Sequence, residues 1–293
     1  MRTLVLGASG MLGNAMLRVM ARADELEEVW GTARTGRVLG NFDAPLAKRI
    51  VTGVDVDNTD SLMRLFTELR PKVVINCIGL VKQLAEAEDP LLALPINSLL
   101  PHRLARLCEL IHARLVHIST DCVFSGAKGG YCESDDADAK DLYGRSKFLG
   151  EVDYPHAVTL RTSIIGHELS SSHGLVGWFL AQKGSIKGYK QAIFSGLPTC
   201  ELAGVIRGLV LPRPELHGVY HVAADPISKF ELLRLVNKEY TKSLQIEPDE
   251  ELKINRSLNA TRFREVTGYV APPWPQLIAD MHSFHRSQNN VPR

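Results

Sequence analysis

Apolar residues in the first half of the chain fall into short continuous runs, separated by stretches with helical spacing. Residues 3–6 (Thr-Leu-Val-Leu) read as a buried strand and residues 11–20 as a helix. Residues 29–33 and 50–54 are the next strands. A helix over 61–69 follows, capped by Asn58, Thr59 or Asp60 and stopped before Pro71. Residues 73–78 form an unbroken apolar run, the pattern of a strand covered on both faces. Leu100, Leu104, Leu107 and Ile111 then mark one face of a helix. A strand over 115–119, a helix over 143–150 and a strand over 157–161 complete the alternation. Repeated β-α-β units with short connections predict an α/β fold built on a doubly wound parallel sheet.

The second half is less regular, with more Gly, Pro and His. It is expected to return strands to the sheet from about 200–224, among them residues 219–222. The rest forms a smaller lobe from residues 167–199 and 225–293. A short amphipathic helix after Pro272-Pro273-Trp274-Pro275 carries Leu277, Ile278 and Met281.

Composition narrows the class of protein. Hydrophobic residues make up 45% and charged residues 23%, so the chain can build a core. With 34 basic against 33 acidic residues, nothing favours a nucleic-acid or anionic-membrane partner. The five cysteines are odd in number and include no C-x-x-C pair, which argues against a disulfide framework or structural zinc and for a reducing compartment. No signal-peptide pattern opens the chain and no apolar run is long enough to span a bilayer, so a cytoplasmic location is expected. No metal site is expected, since the spacing of the histidines does not make ligands of them.

Between the first strand and first helix stands Gly7-Ala8-Ser9-Gly10-Met11-Leu12-Gly13. Gly7 and Gly10 permit a tight turn and close approach to a pyrophosphate, Gly13 permits close helix–strand packing, and the helix N-terminus attracts the anion. In strand–turn–helix context this predicts a Rossmann-type dinucleotide site. The second strand ends on Arg34 with no acid nearby, which favours a 2′-phosphate and hence NADPH, with NADH as the alternative. Asp55 and Val56 are placed beside the adenine. A solvated loop role for Arg34 is the competing reading.

Tyr143-Gly144-Arg145-Ser146-Lys147 is Y-x-x-x-K, which puts a phenol and an ammonium on one helix face. The ammonium is expected to favour phenolate and to orient the nicotinamide ribose. Upstream lies Ile118-Ser119-Thr120-Asp121-Cys122-Val123-Phe124-Ser125-Gly126, and the helix continues through Phe148-Leu149-Gly150-Glu151. Together these resemble the extended short-chain dehydrogenase/reductase superfamily, and within it the dTDP-4-dehydrorhamnose reductase family, over nearly the whole chain.

That resemblance implies a catalytic triad of Thr120, Tyr143 and Lys147. It implies cofactor contacts from Ser9, Met11, Leu12, Cys77, Ile78, Gly79 and Asn97, and a wall near the nicotinamide from residues 161–165. It implies an NAD(P)H-dependent reductase of a 4-keto-6-deoxy nucleotide sugar in deoxysugar and polysaccharide-precursor synthesis. Residues 1–166 would be the cofactor domain, and the lobe would bind substrate, with Trp178 and Arg256 as candidate contacts. A homodimer is compatible with the resemblance.

Two departures leave other readings open. Cys122 replaces a usual aromatic residue, and residues 80–86 differ from the family's segment. Cys122 with His173 resembles the epimerising pair of GDP-L-fucose synthase, giving a bifunctional epimerase/reductase as one alternative. A non-catalytic nucleotide-binding regulatory subunit is the other.

Overall fold

The computed structural model describes residues 1–22, 28–82 and 85–289. The first half alternates strands and helices: β1 (Arg2–Leu6), α1 (Met11–Ala21), β2 (Glu28–Ala33), α2 (Ala44–Ala47), β3 (Ile50–Thr52), α3 (Thr59–Leu69), β4 (Val73–Asn76), α4 (Pro90–Ala93), α5 (Leu100–Leu110), β5 (Arg114–Thr120), α6 (Leu142–Leu149) and β6 (Ala157–Thr162). The second half holds β7 (Ile164–Ile165), α7 (Leu175–Ala181), β8 (Ser185–Tyr189), β9 (Ala192–Phe194), β10 (Leu197–Pro198), α8 (Thr199–Val205), β11 (Gly218–His221), β12 (Ile227–Ser228), α9 (Lys229–Glu239), β13 (Gln245–Asp249), β14 (Ile254–Asn255), α10 (Thr261–Thr267) and α11 (Trp274–Asn289).

Seven strands form one parallel sheet in the order β11-β6-β5-β4-β1-β2-β3. The expected doubly wound α/β architecture is thus present. Its strand order reverses between β1 and β4, the switch point at which a doubly wound sheet forms its ligand crevice beyond the strands' carboxyl ends. The apolar runs explain the core. Val5, Ile75, Val116 and Val158 face one cluster, while Leu4, Leu6, Val74 and Leu115 face a second. Adjacent strand residues therefore feed opposite faces of the sheet, as a buried parallel sheet requires.

Local signals set the boundaries. Asn58 caps α3 by accepting from the Ser61 N–H, and Arg70 closes it in a left-handed conformation (φ 43°) before Pro71. β3 stops at Thr52, short of the expected residue 54, because Gly53 turns the chain at φ 77°. β4 stops at Asn76 instead of residue 78. The Asn76 side chain accepts from the Ile78 N–H and bends the chain away.

From the expected returning region only β11 joins the main sheet; Thr199–Val205 is helical and packs on α1. The remaining strands form three small sheets: β10-β7, β12-β9-β14 and β13-β8. The last helix is not short. It runs 16 residues and buries Trp274, Leu277, Ile278 and Met281. Trp274 donates to the Asp225 carbonyl and belongs to the core.

Candidate active site

The glycine turn is built for close approach. Gly7 has φ 84°, and a Cβ there would lie 2.9 Å from Ile78 Cγ1 and 3.5 Å from the Cys77 carbonyl. A Cβ on Gly13 would overlap the Gly7 carbonyl, so only glycine lets α1 pack beneath the turn. The Gly7 N–H donates to Thr32 Oγ1, and the Gly10 N–H to the Gly7 carbonyl. Gly10 is the N-cap of α1, with no side-chain cap and no acid in the first turn. Unfilled N–H groups and a positive dipole end therefore face the crevice, where Ser9 is exposed, Met11 half-buried and Leu12 buried. This arrangement fits a pyrophosphate. Arg34, exposed just past β2, makes no hydrogen bond or ion pair among the described residues. Asp55 is exposed, while Val56 packs in the second core cluster.

Across the crevice, Cys77, Ile78 and Gly79 follow β4 and are partly exposed. A Cβ on Gly79 would lie 3.4 Å from Asn97 Oδ1 and 3.5 Å from Lys147 Nζ, so the backbone here runs directly past both side chains. Asn97 is fully buried in a π-helical stretch, Leu94–Leu99. Its amide accepts from the Leu80 N–H (2.9 Å) and donates to Ser146 Oγ (3.2 Å), tying the segment after β4 to α6.

Thr120 ends β5, and Tyr143 and Lys147 lie on α6, which packs against it. Asp141 caps α6 by accepting from the Gly144 N–H, and its carboxylate also pairs with Lys82 at 2.8 Å. A Cβ on Gly144 would overlap the Cys122 carbonyl; glycine at this position lets the helix settle onto the loop after Thr120. Lys147 is buried and donates to the Ile118 carbonyl at 2.8 Å. Burial lowers its pKa to about 8, while Glu151 and Cys77 act in the opposite direction.

The electrostatics of Tyr143 correct one expectation. Burial pushes the phenol above its ordinary value, Cys122, Asp121 and Asp141 push the same way, and Thr120 opposes them. Lys147 is not among its leading influences, because the ammonium points at Ile118. The site holds a protonated phenol, the form a proton donor needs.

Thr120 Oγ1 accepts from the Cys122 N–H (3.1 Å) and donates to Asp121 Oδ1 (3.2 Å). Asp121 is buried, which raises its pKa; Arg256 and the Thr120 and Cys122 contacts counter this. The Cys122 thiol is pushed up to about 12 by burial and by Asp121, so it is held protonated.

Behind the triad lies a charge network that sequence reasoning missed. Glu151 and Arg161, with side chains 6% and 5% exposed, form a two-pronged ion pair at 2.7 Å, and Ser119 Oγ donates to the same carboxylate. Arg161 also meets His221 Nε2 at 3.3 Å and lies over the Phe124 ring. Two signals could have revealed this pair. Glu151 stands four residues after Lys147, and Arg161 is a charge inside an otherwise apolar strand run. A second buried polar group is His117. Asn76 Oδ1 is taken by the Ile78 N–H, so its amide N–H donates to His117 Nδ1, and the ring proton sits on Nε2.

Other predicted residues are not gathered in. His173 is exposed on the loop before α7, and no interaction joins it to Cys122. Trp178 is 40% exposed on α7. Arg256 is closer to the chemistry: its Nε donates to the Phe124 carbonyl, and its charge acts on Asp121, Cys122 and Asp141. Of the divergent segment 80–86, Gln83 and Leu84 lie outside the described residues.

A glycine cradle at the strand-order reversal and a Thr–Tyr–Lys set at the next strand end define the extended short-chain dehydrogenase/reductase architecture. Residues 1–281 match the RmlD substrate binding domain family, and the chain belongs to it. It is 31% identical over 183 residues to a probable low-salt glycan biosynthesis reductase of Haloferax volcanii, covering 61% of this chain and 58% of that one. With a dTDP-4-dehydrorhamnose reductase of Mycolicibacterium smegmatis it shares 30% identity over 234 residues, 75% of this chain and 70% of the other. Across the first curated relatives the chain spans about half of their length. The structure of a Bacillus anthracis dTDP-4-dehydrorhamnose reductase in complex with NADP superimposes with a TM-score of 0.78 at 22% identity, covering 97% and 99% of the two chains. Among the described residues no helix is long and apolar enough to cross a membrane.

Proposed function

We propose that the protein reduces the keto group of a 4-keto-6-deoxy nucleotide sugar with NADPH. The observation that carries this reading is the convergence of Thr120, Tyr143 and Lys147 on the crevice that the glycine turn opens. The names of the Haloferax and Mycolicibacterium relatives as reductases, and the NADP bound in the Bacillus structure, support it.

The uncapped end of α1 would hold the pyrophosphate, Arg34 the 2′-phosphate, and Lys147, beside Gly79, the nicotinamide ribose. When bound, NADPH supplies a hydride to the carbonyl carbon. Thr120 turns its hydroxyl proton from Asp121 to the substrate oxygen, and Tyr143, kept protonated by its surroundings, gives its proton to the developing alkoxide. Asn97 fixes the wall of the pocket through Leu80 and Ser146. Residues 167–199 and 225–289 cover the sugar nucleotide. The five free cysteines fit action in the cytoplasm.

The test is NADPH oxidation against a panel of 4-keto-6-deoxy nucleotide sugars, with Tyr143→Phe beside wild type. Loss of the general acid lowers the rate by roughly 10²–10⁴-fold. Equal rates for the two proteins would refute the mechanism.

A further inference from the structure

The loop that leaves β5 at Thr120 has an apolar cluster of its own. Val123, Phe124 and Tyr131 are buried with Ala223 and Leu258, apart from the two clusters that cover the sheet. Phe124 and Tyr131 stack with ring centroids 4.1 Å apart and planes within 9° of parallel. The Tyr131 hydroxyl accepts from the Gly126 N–H (3.2 Å) and the Lys128 N–H (3.1 Å), which closes residues 126–131 into a ring.

The second half of the chain grips this ring. The Asn255 N–H donates to the Gly126 carbonyl (2.8 Å) and the Gly130 N–H to Ser257 Oγ (2.8 Å). The Tyr131 N–H donates to the Ser257 carbonyl (2.9 Å), and the Tyr131 carbonyl accepts from the Asn259 N–H (2.7 Å). His221 adds a second donor to that carbonyl at 3.0 Å; its Nε2 is taken by Arg161, so the ring proton sits on Nδ1. A Cβ on Gly129, which turns at φ 74°, would overlap the Asn255 side chain, so loop and strand lie flush. The gripping segment is itself anchored, Asn255 to Ile193 of β9 and the Leu258 N–H to Ser195 Oγ. At its other end the loop bears on α6, where the Cys122 carbonyl stands in the space of a Gly144 Cβ, and the Cys122 N–H holds Thr120 Oγ1.

We infer that Tyr131 is a positioning residue for the reduction: with Ser257 it clamps the catalytic loop to residues 255–259, and so sets where the Thr120 hydroxyl stands relative to Tyr143. The inference rests on the reductase reading above for the step it serves. It adds that part of the reacting geometry is held by the second half of the chain. Tyr131 acts only through the loop, and a displacement of about 1 Å at a reacting group costs on the order of 10²-fold in rate. The glycine turn follows β1, two strands away from β5, so cofactor binding is spared.

Tyr131→Phe keeps the ring stack and removes the hydroxyl, while Ser257→Ala removes the side-chain acceptor of the Gly130 N–H. Stopped-flow single turnovers of the full chain with NADPH and a 4-keto-6-deoxy nucleotide sugar read hydride transfer. Fluorescence titration reads NADPH affinity, and amide hydrogen exchange reads the protection of residues 120–131. Both variants slow hydride transfer roughly 10- to 100-fold, bind NADPH as wild type does, and exchange faster in the loop but not in β1 or β4. The inference fails if hydride transfer keeps the wild-type rate or if loop exchange is unchanged. It fails too if rate, NADPH affinity and β1 protection fall together, since that marks a general loss of fold. A wild type that reduces no keto sugar removes the reductase reading alone. Faster loop exchange in both variants then keeps the clamp, and unchanged exchange removes it as well.

Discussion

Replacing Glu151 by Gln or Ala removes the carboxylate that accepts from Arg161 Nε and Nη2 and from Ser119 Oγ, all at 2.7 Å. Arg161 is then left as a cation almost closed off from solvent, keeping among the described residues the 3.3 Å contact to His221 and the Phe124 ring face. Breaking one side of such a pair costs about 3–5 kcal/mol, because the survivor keeps its desolvation penalty without its counter-charge. That is a large share of the roughly 5–15 kcal/mol that holds a typical domain together. Urea unfolding followed by tryptophan fluorescence measures it as a lower transition midpoint. The same reasoning requires that Glu151→Leu with Arg161→Met recover most of the loss, since both charges leave together. A single-variant loss below about 1 kcal/mol, or a double variant less stable than the single one, refutes the account. Glu151 also raises the Lys147 pKa. The variants that still fold should therefore lose activity at a lower alkaline pH than wild type.

Lys147 gives a paired prediction about pH. Its proton leaves at about 8 in the folded chain against an ordinary 10.5, so between these values the unfolded chain binds a proton that the folded one does not. Stability credited to this site therefore rises with pH across that window, while a reaction needing the ammonium falls above pH 8. Lys147→Met should gain stability over wild type below pH 8, with the gap closing towards pH 10.5; a gap independent of pH contradicts the shift. Gly13→Ala forces a methyl group into the Gly7 carbonyl, so NADPH affinity measured by fluorescence should fall at least 10-fold. Wild-type affinity would mean the turn is not the cradle. Cys122, held protonated, should react with iodoacetamide at pH 7.5 far more slowly than a free thiol, and a fast, stoichiometric reaction would show a thiolate the geometry does not predict.

The sheet was legible because its strands are written as apolar runs and its helices end on recognisable residues: Asn58 before α3, Pro71 after it. The glycine turn and the Tyr143–Lys147 spacing were legible for the same reason, since each is a local pattern with a steric or geometric cause. Long-range pairings were not. β8 and β13 join segments some sixty residues apart with no shared local signal. Nor could spacing show that Lys147 turns to the Ile118 carbonyl and leaves the phenol to its buried surroundings. Asn97 sits in a π-helical turn beside Pro95, where propensity alone argues against any helix. The distance between Cys122 and His173 was likewise beyond reach of sequence, because it depends on where the loop before α7 folds.

The last helix bears on how the chain is made. Leu277, Ile278 and Met281 belong to the same apolar cluster as Val5, Leu12 and Met16, and Arg22 at the end of α1 stacks on Phe284 and bonds Ser287. One layer of the sheet is thus sealed by residues translated some 270 positions after those they cover. During synthesis the nucleotide-binding half can pair its strands early, but that face stays greasy until α11 has left the ribosome. The nascent chain spends most of its elongation time with an unsealed core, so it should engage chaperones until the closing residues arrive.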